Sequence, residues 1–415
     1  MTTENDAMSM TVPDEVDPFE SFILALGRAI HEAGVPAYRL EEALTAVVGL
    51  FHREAQIFST PTSLMVCFAP GRTTLLRVLP APVELARVAR LDALVRRIEK
   101  GTLSLDDAPA ALAAIVAAPP AFRRSLVVLA HGMAASSSAV FFGGSLADVV
   151  VAFVIGCLVG FLAIPLGREA SRARAYDLIA ALVSSLLAQG AAFVVGERLG
   201  GVSAPIATLA GLVVLLPGLM LTTAMTELAT RHLVSGTARL MAAVITFLEL
   251  GLGVAVGERL FALVVTSAPT ISHVPLPTTI VPFALIAIAV SAIALFQSEW
   301  KTLLGVLAAC AFAFVGARGG AFLFGPELGV FVGALAVASF ANAVARVTDT
   351  PATVTLVPAI LLLVPGSLGY RSLASLVDKD TLTGVETGIG MLFVAISIVA
   401  GLLVANALVA PRRML

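Results

Sequence analysis

The sequence predicts an all-α polytopic membrane protein of about ten transmembrane helices, in two inverted five-helix repeats, with a small α+β N-terminal domain. Three observations carry this. The 415 residues are 58% hydrophobic and only 13% charged, against about 25% charged in soluble domains. The charge is also unevenly placed: residues 1–120 hold most of the acidic and many of the basic residues, whereas 125–410 is nearly all Ala, Val, Leu, Gly and Phe. Finally, one pattern occurs twice, 148 residues apart: Leu216-Pro217-Gly218 followed by Gly236, and Val364-Pro365-Gly366 followed by Gly384.

Residues 1–18 are acidic and polar with no apolar stretch, so a disordered tail without a signal peptide is expected. Residues 19–120 then predict a soluble α+β domain. Two helices fill 19–58, separated by Gly34-Val35-Pro36. The first carries Phe22, Ile23, Leu26 and Ile30 on one face; the second, from about Tyr38, carries Leu40, Leu44, Val47, Val48 and Phe51. Ser59-Thr60-Pro61-Thr62 stops it. Residues 62–68 and 73–79 are β-branched and apolar around Pro70-Gly71-Arg72, which predicts a hairpin. A helix over 82–99 ends at Gly101, and Ser104 caps another running to about Val116.

Several chemistries are disfavoured. The net charge is −2 and only three lysines occur, Lys100, Lys301 and Lys379, so no basic stripe invites nucleic acid. Cys67, Cys157 and Cys310 lack metal-ligand spacing. His31-Glu32 has no second histidine to complete H-E-x-x-H, and no G-x-x-x-x-G-K-[ST] exists. Neither cofactor nor metal is expected, and the chain is not expected to be an enzyme. In the head, His31, Arg39, Glu41, Glu42, His52, Arg72 and Arg77 could surround a polar pocket, though solvated faces and surface ion pairs are the favoured account of them.

Crossing the hydrocarbon takes roughly twenty apolar residues. Five such segments fall in a first unit, 121–266: about 125–142, 146–166, 176–196, 205–226 and 238–260. Five more fall in a second, 279–410: about 279–297, 302–318, 328–346, 353–371 and 384–408. Arg123, Arg124, Arg168, Arg172, Arg174, Arg231, Arg239, Lys301, Arg346, Arg412 and Arg413 lie at one set of segment ends. Only Arg198, Arg259, Arg318, Arg371 and Lys379 lie at the other. The positive-inside rule therefore places both termini in the cytoplasm. An odd number of spans per repeat means that the two halves cross in opposite senses.

Proline removes a backbone donor and glycine weakens a helix, so each Pro-Gly marks a break. Breaks at matched positions of a repeat point to a substrate site, which makes Pro217, Gly218, Pro365 and Gly366 candidates. Thr222 and Thr223 follow the first break, and their hydroxyls could hold a polar substrate or re-satisfy the backbone. Gln189 and Asn342 occupy broadly corresponding places in the third and eighth segments and could also contact substrate. Glu249, near the middle of the fifth segment, is the candidate for proton coupling. His131 is a further intramembrane polar group. Pairs such as Gly156/Gly160, Gly253/Gly257, Gly329/Gly333 and Gly384/Gly388 predict close helix packing.

Leu26-Gly27-Arg28-Ala29-Ile30-His31-Glu32-Ala33-Gly34, Arg39-Leu40-Glu41 and Phe58-Ser59-Thr60-Pro61-Thr62-Ser63 resemble the head of the threonine/serine exporter family (ThrE-like). So do Gly71-Arg72-Thr73 and Leu76-Arg77-Val78. Leu216-Pro217-Gly218 with Leu233-Val234-Ser235-Gly236-Thr237-Ala238-Arg239 resembles that family's central membrane motif. The resemblance implies a secondary exporter of small hydroxy amino acids, driven by the proton gradient, in a bacterial inner membrane. Related systems that split the chain in two are associated with succinate export, so a dicarboxylate stays open as the substrate. A membrane-anchored hydrolase with a catalytic head is the alternative of another class. The expected partners are a small amino acid or dicarboxylate and the lipid bilayer, not nucleic acid; homo-oligomerisation is left open.

Overall fold

A computed structural model describes residues 17–69, 71–79, 81–166, 174–195, 201–265, 274–348, 350–377 and 379–410. Of the tail expected at 1–18, residues 1–16 lie outside the described residues, as do the Pro70 of the hairpin and Arg168, Arg172, Arg198, Arg412 and Arg413 of the charge partition; Asp17 and Pro18 belong instead to the start of the first helix.

In the head, α1 (Pro18–Glu32) starts where Asp17 accepts a hydrogen bond from the Phe19 N–H at 2.9 Å, with Pro18 in the first turn. It stops at Gly34, whose φ of +80° suits glycine. A side chain there would also press on the Val83 backbone, 2.8 Å from a Cβ. The second helix, α2 (Ala37–Leu50), is shorter than its apolar stripe suggested. His52 turns the chain with φ 52°, and residues 55–60 leave the helix to become a strand. The expected hairpin is therefore a three-stranded antiparallel meander of β1 (Ala55–Thr60), β2 (Ser63–Phe68) and β3 (Arg72–Arg77). The expectation of helix through residue 58 fails because Ala55 to Thr60 pair in register with Phe68 to Ser63. Two more helices, α3 (Leu85–Glu99) and α4 (Ala108–Ala117), complete the head. Its core joins Phe22, Leu26, Leu44, Leu64, Val66 and Leu91 from α1, α2, β2 and α3.

The rest of the chain is helical: α5 (Arg124–Phe141), α6 (Leu146–Leu166), α7 (Tyr176–Val195), α8 (Ala204–Gly211), α9 (Gly218–Ala229) and α10 (Leu233–Val264). Then follow α11 (Val281–Leu295), α12 (Leu303–Phe324), α13 (Pro326–Val347), α14 (Ala352–Ile360), α15 (Gly366–Val377) and α16 (Thr381–Leu408). Among the described residues, seven helices are long and apolar enough to cross a membrane: α6, α7, α10, α11 with its leading turn, α12 with its leading turn, α13 and α16. The protein is a mostly helical, polytopic membrane protein. The segments expected as continuous spans over 205–226 and 353–371 are each two short helices, α8 with α9 and α14 with α15.

Local geometry recurs between the two halves. Leu216 donates to the Leu212 carbonyl at 3.2 Å, and Val364 to that of Ile360 at 3.1 Å. Leu221 donates to Pro217 and Gly369 to Pro365. The turn after α9 places Arg231 at φ 67°, and the turn after α15 places Lys379 at φ 65°. Gly236 packs on Leu228 and Gly384 on Leu376. Gly253 of α10 lies against the Leu178 carbonyl and Ala181 of α7, as Gly401 of α16 lies against the Phe331 carbonyl and Ala334 of α13.

The head touches one end of this bundle. Leu85 and Ala86 N–H groups donate to the carbonyls of Phe296 and Gln297 at 2.9 and 3.1 Å, and the Phe122 N–H donates to Gln297 Oε1 at 2.8 Å. At another place, loop meets loop: Leu276 donates to the Gly144 carbonyl, Ser145 Oγ to that of Gly201, and the Ser203 N–H to Asp148 Oδ1.

Candidate functional site

The two Pro-Gly breaks meet. All four residues, Pro217, Gly218, Pro365 and Gly366, are buried. A Cβ on Gly366 would sit 3.0 Å from Leu216 Cβ and 3.7 Å from Gly218 Cα. A Cβ on Gly218 would strike Val364 and lie 3.1 Å from Gly366 N. Each break thus presses its glycine against the residue two before the other's glycine. Because α9 begins at Gly218 and α15 at Gly366, two helix N-termini converge here. First-turn N–H groups have no partner inside their own helix, and both helix dipoles present positive ends to the crossing. Chemically, that is a place for an anion such as a carboxylate.

The remaining candidates divide. Thr222 is buried and donates to the Gly218 carbonyl at 3.0 Å, and Thr226 donates to that of Thr222 at 2.8 Å, so these hydroxyls serve their own helix. Thr223 is half-buried, and its hydroxyl has no hydrogen-bond partner among the described residues. Asn342 is engaged at the far end of α16, its amide donating to Asn406 Oδ1 and the Val409 carbonyl, both at 2.9 Å. Gln189 is half-buried on α7. Glu249 is half-buried midway along α10, with Asp177 of α7 close enough for their charges to interact. Asp177 was legible as an acid just inside an apolar segment, but sequence alone did not pair it with Glu249. His131 Nδ1 faces the Val127 carbonyl at 2.8 Å, and its ring packs on Gly160.

A second polar centre joins head to bundle. Glu227, at the end of α9, is fully buried. Its carboxylate accepts from Arg239 Nε at 3.1 Å, Ser235 Oγ at 2.8 Å and the Ala37 N–H at 3.0 Å. Pro36 cannot cap α2 with a side chain, so Glu227 supplies the cap from 190 residues away. Beside it, His232 Nε2 lies 3.2 Å from Glu41 Oε2, while Glu41 Oε1 accepts from the Ser59 N–H at 2.7 Å. His31 Nε2 faces the Thr60 carbonyl at 3.1 Å. A carbonyl only accepts, so Nε2 carries the proton and the buried Nδ1 is a bare base, with no hydrogen-bond partner among the described residues. Burial pushes the His31 pKa below its ordinary value; the Thr60 carbonyl pulls it back up and the Arg239 charge lowers it again.

Of the head residues expected around a polar pocket, His31 and Glu41 come together here, with Arg39 over the Tyr38 ring. Arg72 pairs instead with Glu20 at 3.6 Å, Glu42 is 65% exposed, and His52 and Arg77 are exposed. Glu227, Ser235, His232 and Arg239 complete the centre. Ser235 and Arg239 stood in the motif at 233–239, but nothing in the sequence tied them to Glu227 or to the head.

Comparison with known proteins adds the family. Residues 21–261 match the threonine/serine exporter model ThrE, and residues 280–408 match a second model described as Threonine/Serine exporter, ThrE. A Schizosaccharomyces pombe protein, uncharacterized protein C7D4.12c, is 26% identical over 62% of this chain and 35% of its own length. Pheromone-regulated membrane protein 10 of Eremothecium gossypii is 28% identical over 58% of this chain and 33% of its own. The chain thus matches about a third of the length of these relatives. No solved structure matches. With its head motif, its two breaks and its bundle all inside the matched regions, the chain belongs to the threonine/serine exporter family.

Proposed function

We propose that the protein is a secondary-active exporter of threonine and serine that works by alternating access, coupled to protons. The meeting of the two breaks carries the reading. Two helix N-termini at Gly218 and Gly366 suit the carboxylate of an amino acid, and the unpartnered Thr223 hydroxyl is placed on the next turn for a polar side chain.

The bundle is ten spans in two inverted five-helix repeats, with α8–α9 and α14–α15 as broken fourth and ninth spans. The recurring hydrogen bonds at the breaks, the paired left-handed residues Arg231 and Lys379, and the matched seats of Gly253 and Gly401 support this. So do the loops. Ten-span counting puts Phe122, the turn at 230–232 and the 296–299 loop on one face; the turn and the loop contact the head, and Phe122 donates to Gln297 of that loop. It puts residues 142–145, 201–203 and 274–276 on the opposite face, and these contact one another. The excess of arginine on the head side makes that side the cytoplasm of a bacterial inner membrane, with 19–120 a soluble cytoplasmic domain and both termini inside.

Glu249 carries the coupling proton, with Asp177 as its partner. Its place midway along an apolar helix, with the Asp177 carboxylate near enough for the two charges to interact, supports that role. In vesicles loaded with labelled threonine, serine or succinate, pH-driven efflux of the hydroxy amino acids is expected, and Glu249→Gln should abolish it while leaving exchange at equal pH. Unchanged pH-driven efflux in Glu249→Gln would remove the residue from coupling, and preference for succinate would reassign the substrate.

A further inference from the structure

We propose that the cleft between α3, the linker into α5 and the α11–α12 loop binds the phosphate of an anionic headgroup at the head-side membrane surface. The inference is independent of what the protein carries. The cleft is lined by Glu84, Arg87, Arg90, Pro119, Pro120 and Gln297 among others. Arg87 pairs with Glu84 at 3.3 Å, whereas Arg90 has no ion-pair partner among the described residues. One guanidinium is therefore left to bind an anion, with Arg87 beside it one helical turn back. Guanidinium groups suit phosphate because their planar N–H groups match two oxygens at once.

The wall of the cleft is held by a strained residue, and the other half of the molecule shows that the strain is not forced by the turn. The α5–α6 loop closes with Phe142 donating to Ser138, Gly143 to Val140 and Gly144 to Ala139. The α11–α12 loop closes in the same way, with Phe296 donating to Ala292, Gln297 to Ala294 and Ser298 to Ile293. The left-handed position is a glycine in the first, φ 78°, and Gln297 in the second, φ 49°. Glycine takes that conformation freely and glutamine does not. What Gln297 adds is contact: its Oε1 accepts from Phe122 N–H and its carbonyl from Ala86 N–H, tying linker and α3 into one cleft. Strain kept at such a point indicates a built site.

The surroundings identify the source of the anion. The linker enters the bundle at Arg124, and Arg123 and Arg124 are exposed. Trp300, the single tryptophan of the chain, is 56% exposed and meets the Phe122 ring edge-on at 5.3 Å. An exposed Trp among arginines at the end of an apolar helix is the signature of the headgroup layer, where anionic lipid attracts basic residues.

Native mass spectrometry of the full chain in detergent, titrated with phosphatidylglycerol or phosphatidylcholine, tests this. Phosphatidylglycerol should be retained preferentially, and Arg90→Gln should lower its retention about fivefold without altering that of phosphatidylcholine. Arg90→Lys should fall between the two, and exposed Arg97→Gln should change nothing. Unaltered phosphatidylcholine retention also reports that each variant is folded. Displacement of the lipid by inorganic phosphate would keep the anion site and assign it to a soluble phosphate. Equal retention of both lipids, or a preference untouched by Arg90→Gln, would overturn the proposal.

Discussion

The hairpin α9–α10 and the hairpin α15–α16 share a backbone and differ in their charges. Each begins at a Pro-Gly break, turns through a left-handed cation (Arg231 or Lys379), and seats a glycine (Gly236 or Gly384) on a leucine of the preceding helix. In the first hairpin, however, Glu227, Ser235, His232 and Arg239 form a buried network with the head. The positions 148 residues later hold Ser375, Thr383, Asp380 and Thr387. There Asp380 caps its own helix by accepting from the Thr383 N–H, whereas His232 leaves α10 without a side-chain cap and reaches Glu41 instead. The shared backbone belongs to the break; the charged set belongs to the docking of the head. Both head helices that face the bundle lack a side-chain cap of their own, and the bundle caps them, α2 through Glu227 and α3 through the carbonyls of Phe296 and Gln297.

Substitutions at matched positions separate the two roles. The largest difference is expected for Glu227→Ala against Ser375→Ala. The first strands Arg239, Ser235 and the Ala37 N–H, and breaking a buried pair by removing one partner costs about 3–5 kcal/mol. The second should stay within about 0.5 kcal/mol. Thermal unfolding and protease sensitivity of the head linker would report both, and equal losses would break the contrast.

A smaller effect is expected from pH, and only where the head docks. His31 is held neutral, its folded pKa below the ordinary 6.5. The unfolded chain therefore takes up the proton first, so stability is full above 6.5 and is lost as the pH falls through that value toward the folded pKa. His31→Gln should flatten the dependence of the unfolding midpoint on pH in this range; an unchanged slope would acquit His31. The smallest effect should be symmetrical. Arg231→Gly and Lys379→Gly each relieve a left-handed side-chain conformation, a gain of at most about 1 kcal/mol, and the two gains should match.

The apolar lengths, the two breaks and their spacing were legible because hydropathy and Pro-Gly chemistry act locally. The elements α6, α7, α13 and α16 lie close to where the sequence put them. Strand β1 was not legible, since Phe51 continues the helical stripe and only pairing with β2 pulls residues 55–60 into the sheet. The docking centre was hidden for a different reason. Glu227 caps a helix 190 residues before it, and no local pattern announces a cap supplied from another domain. Asn342 looked available as an intramembrane amide, and only the fold brings Asn406 and Val409 to it.

The central claim is that substrate passes where Gly218 meets Gly366. Counterflow of labelled threonine and serine in vesicles, comparing the unaltered protein with Gly218→Ala, tests it most directly, because the added methyl would collide with Val364 in the crossing itself. The expected result is saturable exchange in the unaltered protein and its loss, by tenfold or more (a displacement of about 1.4 kcal/mol), in a variant that still inserts and retains its head. Exchange that persists at full rate in Gly218→Ala would place the site elsewhere.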